Sequence, residues 1–277
     1  MIASISKIKE ILNNYNIPVK KKFGQNFLID SNVVKKIVNT ANVNKETIVV
    51  EIGPGLGSMT EELCQKASKV ICFEIDQDMV NVLTNELSFE NLTIVEEDFL
   101  KVDLSEYLTS NLRTIVVSNL PYYITTPIIS SLIKEKEVSE IYVMVQNEVA
   151  SRLTSGPGTK DYGSLSVLMG YYFECKYEFK VTRNCFYPSP NVDSGIVSMK
   201  KMQRDCGLNN EDKFARFVQD IFENRRKTII NNIIRKYPVE RTRMEDILDK
   251  MGYDVGVRSE RLSLDDMIYI YKEIGLN

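Results

Sequence analysis

The sequence contains no histidine. That absence removes Ser-His and Cys-His nucleophilic catalysis, an imidazole general base and histidine-ligated metals from the chemistry open to the chain. Any reaction it runs must need little proton abstraction. Cysteine is scarce and poorly spaced for a structural role: the five residues, Cys64, Cys72, Cys175, Cys185 and Cys206, form no C-x-x-C pair and are odd in number. This argues against a disulfide framework and against a zinc site, and for a reducing compartment. No uninterrupted apolar run approaches membrane-spanning length, and Lys7, Lys9 and Glu10 interrupt the apolar residues before Pro18, so a signal-peptide core is lacking. A soluble cytoplasmic protein without a metal is expected. Internal repeats and low-complexity tracts are absent as well.

What is present is enough for a large core. A chain of 277 residues with 43% hydrophobic content can bury one large α/β domain plus a smaller one without staples. Short, β-branched apolar runs at 47–52, 69–74, 92–96, 114–118 and 140–146 alternate with helical stretches, which implies βαβ units in a mostly parallel, doubly wound sheet. Residues 171–181 and 195–199 alternate polar and apolar and read as an antiparallel pair at the end of that sheet. The glycine- and proline-rich stretch 155–163 reads as a loop. A polar segment with Gly207 separates this region from helical patterns at 211–222, 225–236, 241–251 and 264–274. The domains are therefore expected at 1–203 and 204–277, the second all-helical.

A net charge of −3 is a mild argument against nucleic acid, because phosphate attraction needs positive potential. Its distribution matters more. Residues 223–243 hold seven basic side chains (Arg225, Arg226, Lys227, Arg235, Lys236, Arg241, Arg243) against Glu223 and Glu240, and Lys20, Lys21 and Lys22 form a second cluster. Each is either a solvated face or a phosphate track. Arg225, Arg226 and Lys227 cannot share one helix face, so some of them serve packing or solubility.

Asn119-Leu-Pro-Tyr122 follows the apolar run 114–118. Pro121 cannot donate to a sheet ladder and biases Leu120 toward extended geometry, so pairing ends there, and the Asn119 amide and nearby carbonyls are freed to face a crevice. An amide with free carbonyls can accept the two hydrogens of an exocyclic amine, and the Tyr122 ring can stack on a base pulled from its helix. The competing reading is a strand-ending turn with a core tyrosine.

Val49-Val-Glu-Ile-Gly-Pro-Gly-Leu-Gly57 runs a strand into a glycine turn and a helix beginning near Ser58. Gly53 and Gly55 match G-x-G, whereas position 58 is Ser and the next glycine is Gly57, a departure from the dinucleotide fingerprint. The next strand ends at Glu74, where a carboxylate can accept ribose hydroxyls. Asp76 reads as a helix cap. The third strand ends near Asp98 and Phe99, an amine acceptor and a ring to pack on adenine. Glu51 has two readings: its charge favours a cationic sulfonium, or it tethers the turn through backbone amides.

Together, Glu51-Ile-Gly-Pro-Gly55, Glu74, Asp98-Phe99 and Asn119-Leu-Pro-Tyr122 resemble an S-adenosylmethionine-dependent N6-adenine methyltransferase. Phe23-Gly-Gln-Asn-Phe-Leu28, Phe186-Tyr-Pro-Ser-Pro-Asn-Val-Asp-Ser194, Phe222-Glu-Asn-Arg-Arg-Lys-Thr228 and Arg258-Ser-Glu-Arg-Leu-Ser-Leu264 extend the resemblance over almost the whole chain. It is to the small-subunit ribosomal RNA adenine dimethyltransferase family. The resemblance implies a Rossmann-like class I methyltransferase domain, a mostly parallel seven-stranded sheet with an antiparallel end, and a small helical RNA-binding domain. It implies dimethylation at N6 of two adjacent adenosines in the 3′-terminal hairpin loop of small-subunit rRNA, in an immature subunit, by a monomer.

The family's cofactor contacts fall on Asn26, Leu28, Gly53, Glu74, Asp98 and Asn119. Gln25, Glu51, Gly55, Ile75 and Phe99 complete the expected cofactor set. Asn119, Leu120, Pro121 and Tyr122 form the expected catalytic set, in which Asn119 and the carbonyl of Leu120 or Pro121 accept the N6 hydrogens. Phe186 is the candidate for the second stacking face, with a core position as its alternative. Lys20, Lys21, Lys22, Arg225, Arg226 and Lys227 are the expected RNA contacts. Rival readings are a large-subunit rRNA methyltransferase of the macrolide-resistance type, an assembly factor with secondary methylation, and, on the glycine turn alone, a nicotinamide oxidoreductase.

Overall fold

In the computed structural model, which describes residues 1–18, 25–108, 112–202, 204 and 206–277, the chain forms two compact units. The first comprises Met1–Ala150 and Lys176–Lys200, the second Ser151–Cys175 and Lys201–Asn277. Relative to the division at 203/204 read from sequence, the segment Ser151–Cys175 clusters with the helical unit. Its glycine-rich loop and the helix after it supply Tyr162, Val167 and Tyr171 to the helical core.

The first unit opens with α1 (Ile5–Asn14), β1 (Phe27–Leu28) and α2 (Ser31–Thr40). The alternating part follows: β2 (Thr47–Ile52), α3 (Thr60–Lys66), β3 (Lys69–Glu74), α4 (Gln77–Glu86), β4 (Leu92–Glu96), β5 (Arg113–Asn119), α5 (Thr125–Lys134) and β6 (Val138–Gln146). The chain continues through α6 (Asn147–Thr154), α7 (Ser164–Tyr172, which belongs to the second unit), β7 (Phe173–Val181), β8 (Phe186–Tyr187) and β9 (Ser194–Lys201). The main sheet has seven strands in the order β4-β3-β2-β5-β6-β9-β7. β4, β3, β2, β5 and β6 are mutually parallel, and β9 runs antiparallel to β6. The sheet is Rossmann-like, and all six residues of β2 are buried, as a central parallel strand covered on both faces requires.

On one face Val49, Val70, Cys72, Ile115 and Val117 pack with Val34, Ile37 and Val38 of α2 and Leu63 of α3. A separate cluster joins Ile8 and Ile11 of α1 to Met79, Val82 and Leu83 of α4. The strand order reverses between β2 and β5, where the chain leaves in opposite directions. In parallel sheets this switch point opens a crevice at the carboxyl ends of the strands.

The second unit is helical, with α8 (Glu211–Phe222), α9 (Ile229–Lys236), α10 (Arg241–Lys250) and α11 (Leu264–Glu273). In α8, Phe214, Phe217, Val218 and Ile221 recur at i, i+3, i+4 and i+7 and are almost wholly buried. α9 begins four residues later than its sequence pattern, because Thr228 caps it by accepting from the Asn231 amide. Arg225, Arg226 and Lys227 therefore lie in a turn rather than a helix. Tyr171 and Tyr172, read as strand, end α7, and α3 starts at Thr60 rather than Ser58. Among the described residues no helix is long and apolar enough to cross a membrane, and no group of three or more Cys, Asp or Glu could hold a metal ion.

Candidate active site

The cavity lies over the carboxyl ends of β2, β3, β4 and β5. Gln25, Asn26, Leu28, Glu51, Gly53, Gly55, Glu74, Ile75, Asp98, Phe99, Asn119, Leu120, Pro121 and Tyr122 all line it. Every residue expected at the cofactor, and four of the five expected at the reacting base, thus share one cavity. Parallel strands explain this: four consecutive tips point the same way, so residues up to about a hundred positions apart become neighbours.

The turn after β2 depends on glycine. Gly53 and Gly55 sit at φ 66° and 58°, in the left-handed region that side chains avoid. A Cβ on Gly55 would also come within 3.3 Å of the Phe27 ring. The neighbouring strand holds the turn in place. Glu74 Oε2 accepts from the Gly55 amide at 3.2 Å, while Oε1 accepts from the amides of Ile75 and Asp76 at 2.9 and 3.0 Å. Three of its roughly four lone-pair sites are used, which leaves one for a ligand hydroxyl. Burial raises its pKa, and the three backbone hydrogen bonds oppose that rise.

Glu51 is 2% exposed. The tether expected to run through backbone amides runs through side chains instead: Oε2 accepts from Thr60 Oγ1 at 2.7 Å and from the Cys72 thiol at 3.6 Å. Burial pushes its pKa up to about 7 against these hydrogen bonds. Asp76 caps α4 through the Asp78 amide and also accepts from Gln25 Nε2 at 3.0 Å, which brings the segment before β1 to the tip of β3. Asp98 caps a short 3₁₀ turn through the Leu100 amide at 3.1 Å. Phe99 is largely buried edge-on against Phe73, with ring centroids 5.6 Å apart.

At the end of β5 the polar groups are sorted by what they already hold. Asn119 Nδ2 donates to the Asn26 carbonyl at 3.4 Å, an orientation in which Oδ1 accepts nothing among the described residues. The Leu120 amide donates to the Met144 carbonyl at 3.1 Å, so the strand pairing runs one residue past β5. The Leu120 carbonyl accepts nothing among the described residues. The Pro121 carbonyl, one of two candidates from sequence, already accepts from the Ile124 amide at 3.2 Å and Thr125 Oγ1 at 3.1 Å. The Tyr122 hydroxyl meets Ser194 Oγ at 2.8 Å, which fixes the ring.

Phe186 is not at this site. It is 3% exposed, pairs with Leu28 in the two-stranded β1-β8 sheet and packs in the main core, the position that the sequence offered as its alternative. Several lining residues were not anticipated, two of them with polar groups at the cavity. Tyr123 is 53% exposed at the cavity, and Ser58 is buried there with its hydroxyl making no hydrogen bond among the described residues. Their signal was adjacency to Tyr122 and to the glycine turn.

Lys20, Lys21 and Lys22 lie outside the described residues, as do Phe23 and Gly24 of the Phe23–Leu28 motif. Arg225 donates to the carbonyls of Lys160 and Tyr162 at 2.9 and 3.0 Å and pairs with Glu260, which makes it a strut of the helical unit. Arg226 and Lys227 are exposed and make no ion pair among the described residues.

A model of the family described as ribosomal RNA adenine dimethylase matches residues 16–274. The ribosomal RNA small subunit methyltransferase A of Geobacillus thermodenitrificans is 41% identical over 95% of this chain and 93% of its own length. That of Streptococcus pneumoniae is 43% identical over 95% and 94%. Among solved structures, a dimethyladenosine transferase from Plasmodium falciparum has the same fold with a TM-score of 0.74, at 24% identity over 90% of this chain and 98% of that one. The 23S rRNA methyltransferase ErmE follows with a TM-score of 0.71, at 27% identity over 90% and 99%. A class I methyltransferase sheet, a cavity at its switch point and a match that spans nearly the whole chain converge: the chain belongs to the ribosomal RNA adenine dimethylase family and is an S-adenosylmethionine-dependent adenine methyltransferase.

Proposed function

We propose that this chain dimethylates N6 of two adjacent adenosines in the 3′-terminal hairpin loop of small-subunit rRNA. It would act as a monomer on an immature subunit in the cytoplasm and contribute to subunit maturation. The relatives named for the small subunit, at 41% and 43% identity over almost full length, favour that subunit over the large one. The observation that carries the chemistry is the pair of vacant acceptors, Asn119 Oδ1 and the Leu120 carbonyl, beside a cavity built on the glycine turn.

The donor set fits the cofactor. Glu74 keeps one acceptor site for a ribose hydroxyl, Asp98 and Ile75 flank the space for an adenine, and the Gly53 and Gly55 backbones allow close approach. Glu51 places a buried acid whose ionised form a positive ligand would stabilise. The cofactor supplies an electrophilic methyl group. The protein must present the adenine amine to it.

Oδ1 of Asn119 and the Leu120 carbonyl would accept the two N6 hydrogens and draw the nitrogen lone pair out of conjugation. That interaction grows as positive charge develops on nitrogen. Tyr122, held by Ser194, would stack on the extruded base and offset its unstacking cost. No strong base is required, because the alkylated nitrogen is acidic and gives up its proton to solvent, consistent with a chain that has no histidine. Arg226 and Lys227 would contact phosphate. Incubation with labelled methyl donor and each immature ribosomal subunit tests the reading, with expected label as N6,N6-dimethyladenosine in small-subunit rRNA. Label confined to large-subunit rRNA would defeat it in favour of the resistance-type reading.

A further inference from the structure

A second cavity lies near the first, at the end of β6 and the loop entering β9. Sheet register places it. Asn119 of β5 lies opposite Met144 of β6, and Gln146, two residues farther along, lies opposite Ser194 of β9. With a rise of about 3.3 Å per residue and about 4.8 Å between strands, Gln146 stands roughly 8 Å from the Asn119 position. Ser194 links the two sites: its hydroxyl meets Tyr122, and its neighbour Asp193 lines the second cavity.

The lining chemistry suits a base better than a phosphate. Arg183 is exposed there, and among the described residues its guanidinium makes one long hydrogen bond, to the Asn191 carbonyl at 3.4 Å. Val192, 45% exposed, gives an apolar surface. The Gln146 carboxamide makes no hydrogen bond among the described residues, and Asn147 Oδ1 accepts from the Tyr177 hydroxyl at 2.7 Å, which leaves its amide hydrogens as donors. Charge nearly cancels. Glu148 and Asp193 line the cavity with Arg183, and Asp193 is already paired with Lys180 at 2.7 Å and accepts from the Arg183 backbone amide at 2.9 Å. Phosphate tracks carry net positive charge, whereas unstacked bases are held by guanidinium planes and read on their edges by amides. A glutamine carboxamide matches the donor and acceptor pair of adenine.

We propose that this cavity holds the adenine of the nucleotide adjoining the one under Asn119, with Gln146 reading its edge and Arg183 stacked on its face. The inference rests on the reading that the chain acts on adjacent adenosines. It gives one methylation site a way to register a pair, because the partner base is held while its neighbour reacts.

Unmethylated small subunits with either adenosine replaced by cytidine, assayed with wild type, Gln146→Ala and Arg183→Ala, test it. For wild type, replacement of the neighbour is expected to lower kcat/KM at the remaining adenosine about tenfold, chiefly through KM. Gln146→Ala should show that same loss on native subunits and little further loss on replaced ones. Arg183→Ala should weaken both alike, and both variants should bind S-adenosylmethionine as wild type does in calorimetry. A Gln146→Ala enzyme that discriminates between neighbours as wild type does overturns the inference. A wild-type enzyme that labels only large subunits overturns the reading beneath it, and this inference with it.

Discussion

The carboxylates at the strand tips and the cations of the helical unit are treated in opposite ways. Glu51 and Glu74 are 2% and 8% exposed, carry raised pKa values and are held by short hydrogen bonds beside a cavity. The basic residues of 225–243 are exposed, and most are held by partners within their own unit. Arg235 and Lys236 pair with Glu223, Arg241 meets Glu245 and Asn231, and Arg243 donates to the Glu273 carbonyl. Burial makes a charge expensive, so buried ones persist where structure or a ligand compensates. Exposed pairs are worth little and accumulate freely. The density of charge along the chain is therefore a poorer guide to function here than the depth at which it is held.

The largest expected effect lies on the buried side of that comparison. Asn119→Ala should lose about 10²–10³ in kcat, because an acceptor matched to the transition state disappears. Single-turnover methylation of small subunits measures it, and a rate within threefold of wild type would sink the role given to this amide.

Glu51→Gln should reshape stability. The folded-state pKa near 7 exceeds the ordinary 4.5, so the protonated acid is favoured in the fold. Its contribution is intact below about pH 4.5, falls as pH rises toward 7 and is flat above. The total loss is about 3 kcal/mol. Glutamine has no such penalty. Urea denaturation without cofactor, followed from about pH 4.5 to 8, should show the variant gaining on wild type across that window. Parallel curves would remove the buried acid from the account.

On the exposed side, Arg225→Ala should cost about 1 kcal/mol through the lost bonds to the Lys160 and Tyr162 carbonyls. The salt dependence of RNA binding should not move. Arg226→Ala should do the reverse, leaving the melting temperature unchanged while the slope of log affinity against log salt falls by about one. If both residues behave alike, the division between strut and phosphate contact is lost.

Much of the sheet was legible because its apolar runs are short, β-branched and bounded by breakers. Residues 47–52, 69–74 and 92–96 are strands at their anticipated limits. The misreadings have two causes. Tyr171 and Tyr172 alternate acceptably for a strand, yet their rings belong to a helical core, where Tyr171 lies against Phe214. Residues 225–228 fit a helix by composition, yet the Thr228 cap delays α9. In the first case partners distant in sequence overruled local preference, and in the second a local cap did.

The sequence by itself determined the class of fold and the chemistry available. Four strand tips with a glycine turn, two carboxylates and Asn119-Leu-Pro-Tyr122 read correctly because residue type and spacing along each strand are local properties. Only the tertiary structure decided which groups remained open. The Pro121 carbonyl is taken by Ile124 and Thr125, Glu51 is tied to Thr60 and Cys72, Phe186 is sunk in the core and Arg225 is spent on the carbonyls of a distant loop. A hydrogen bond or a buried face depends on which chain segments meet in space, and no spacing along one segment encodes it.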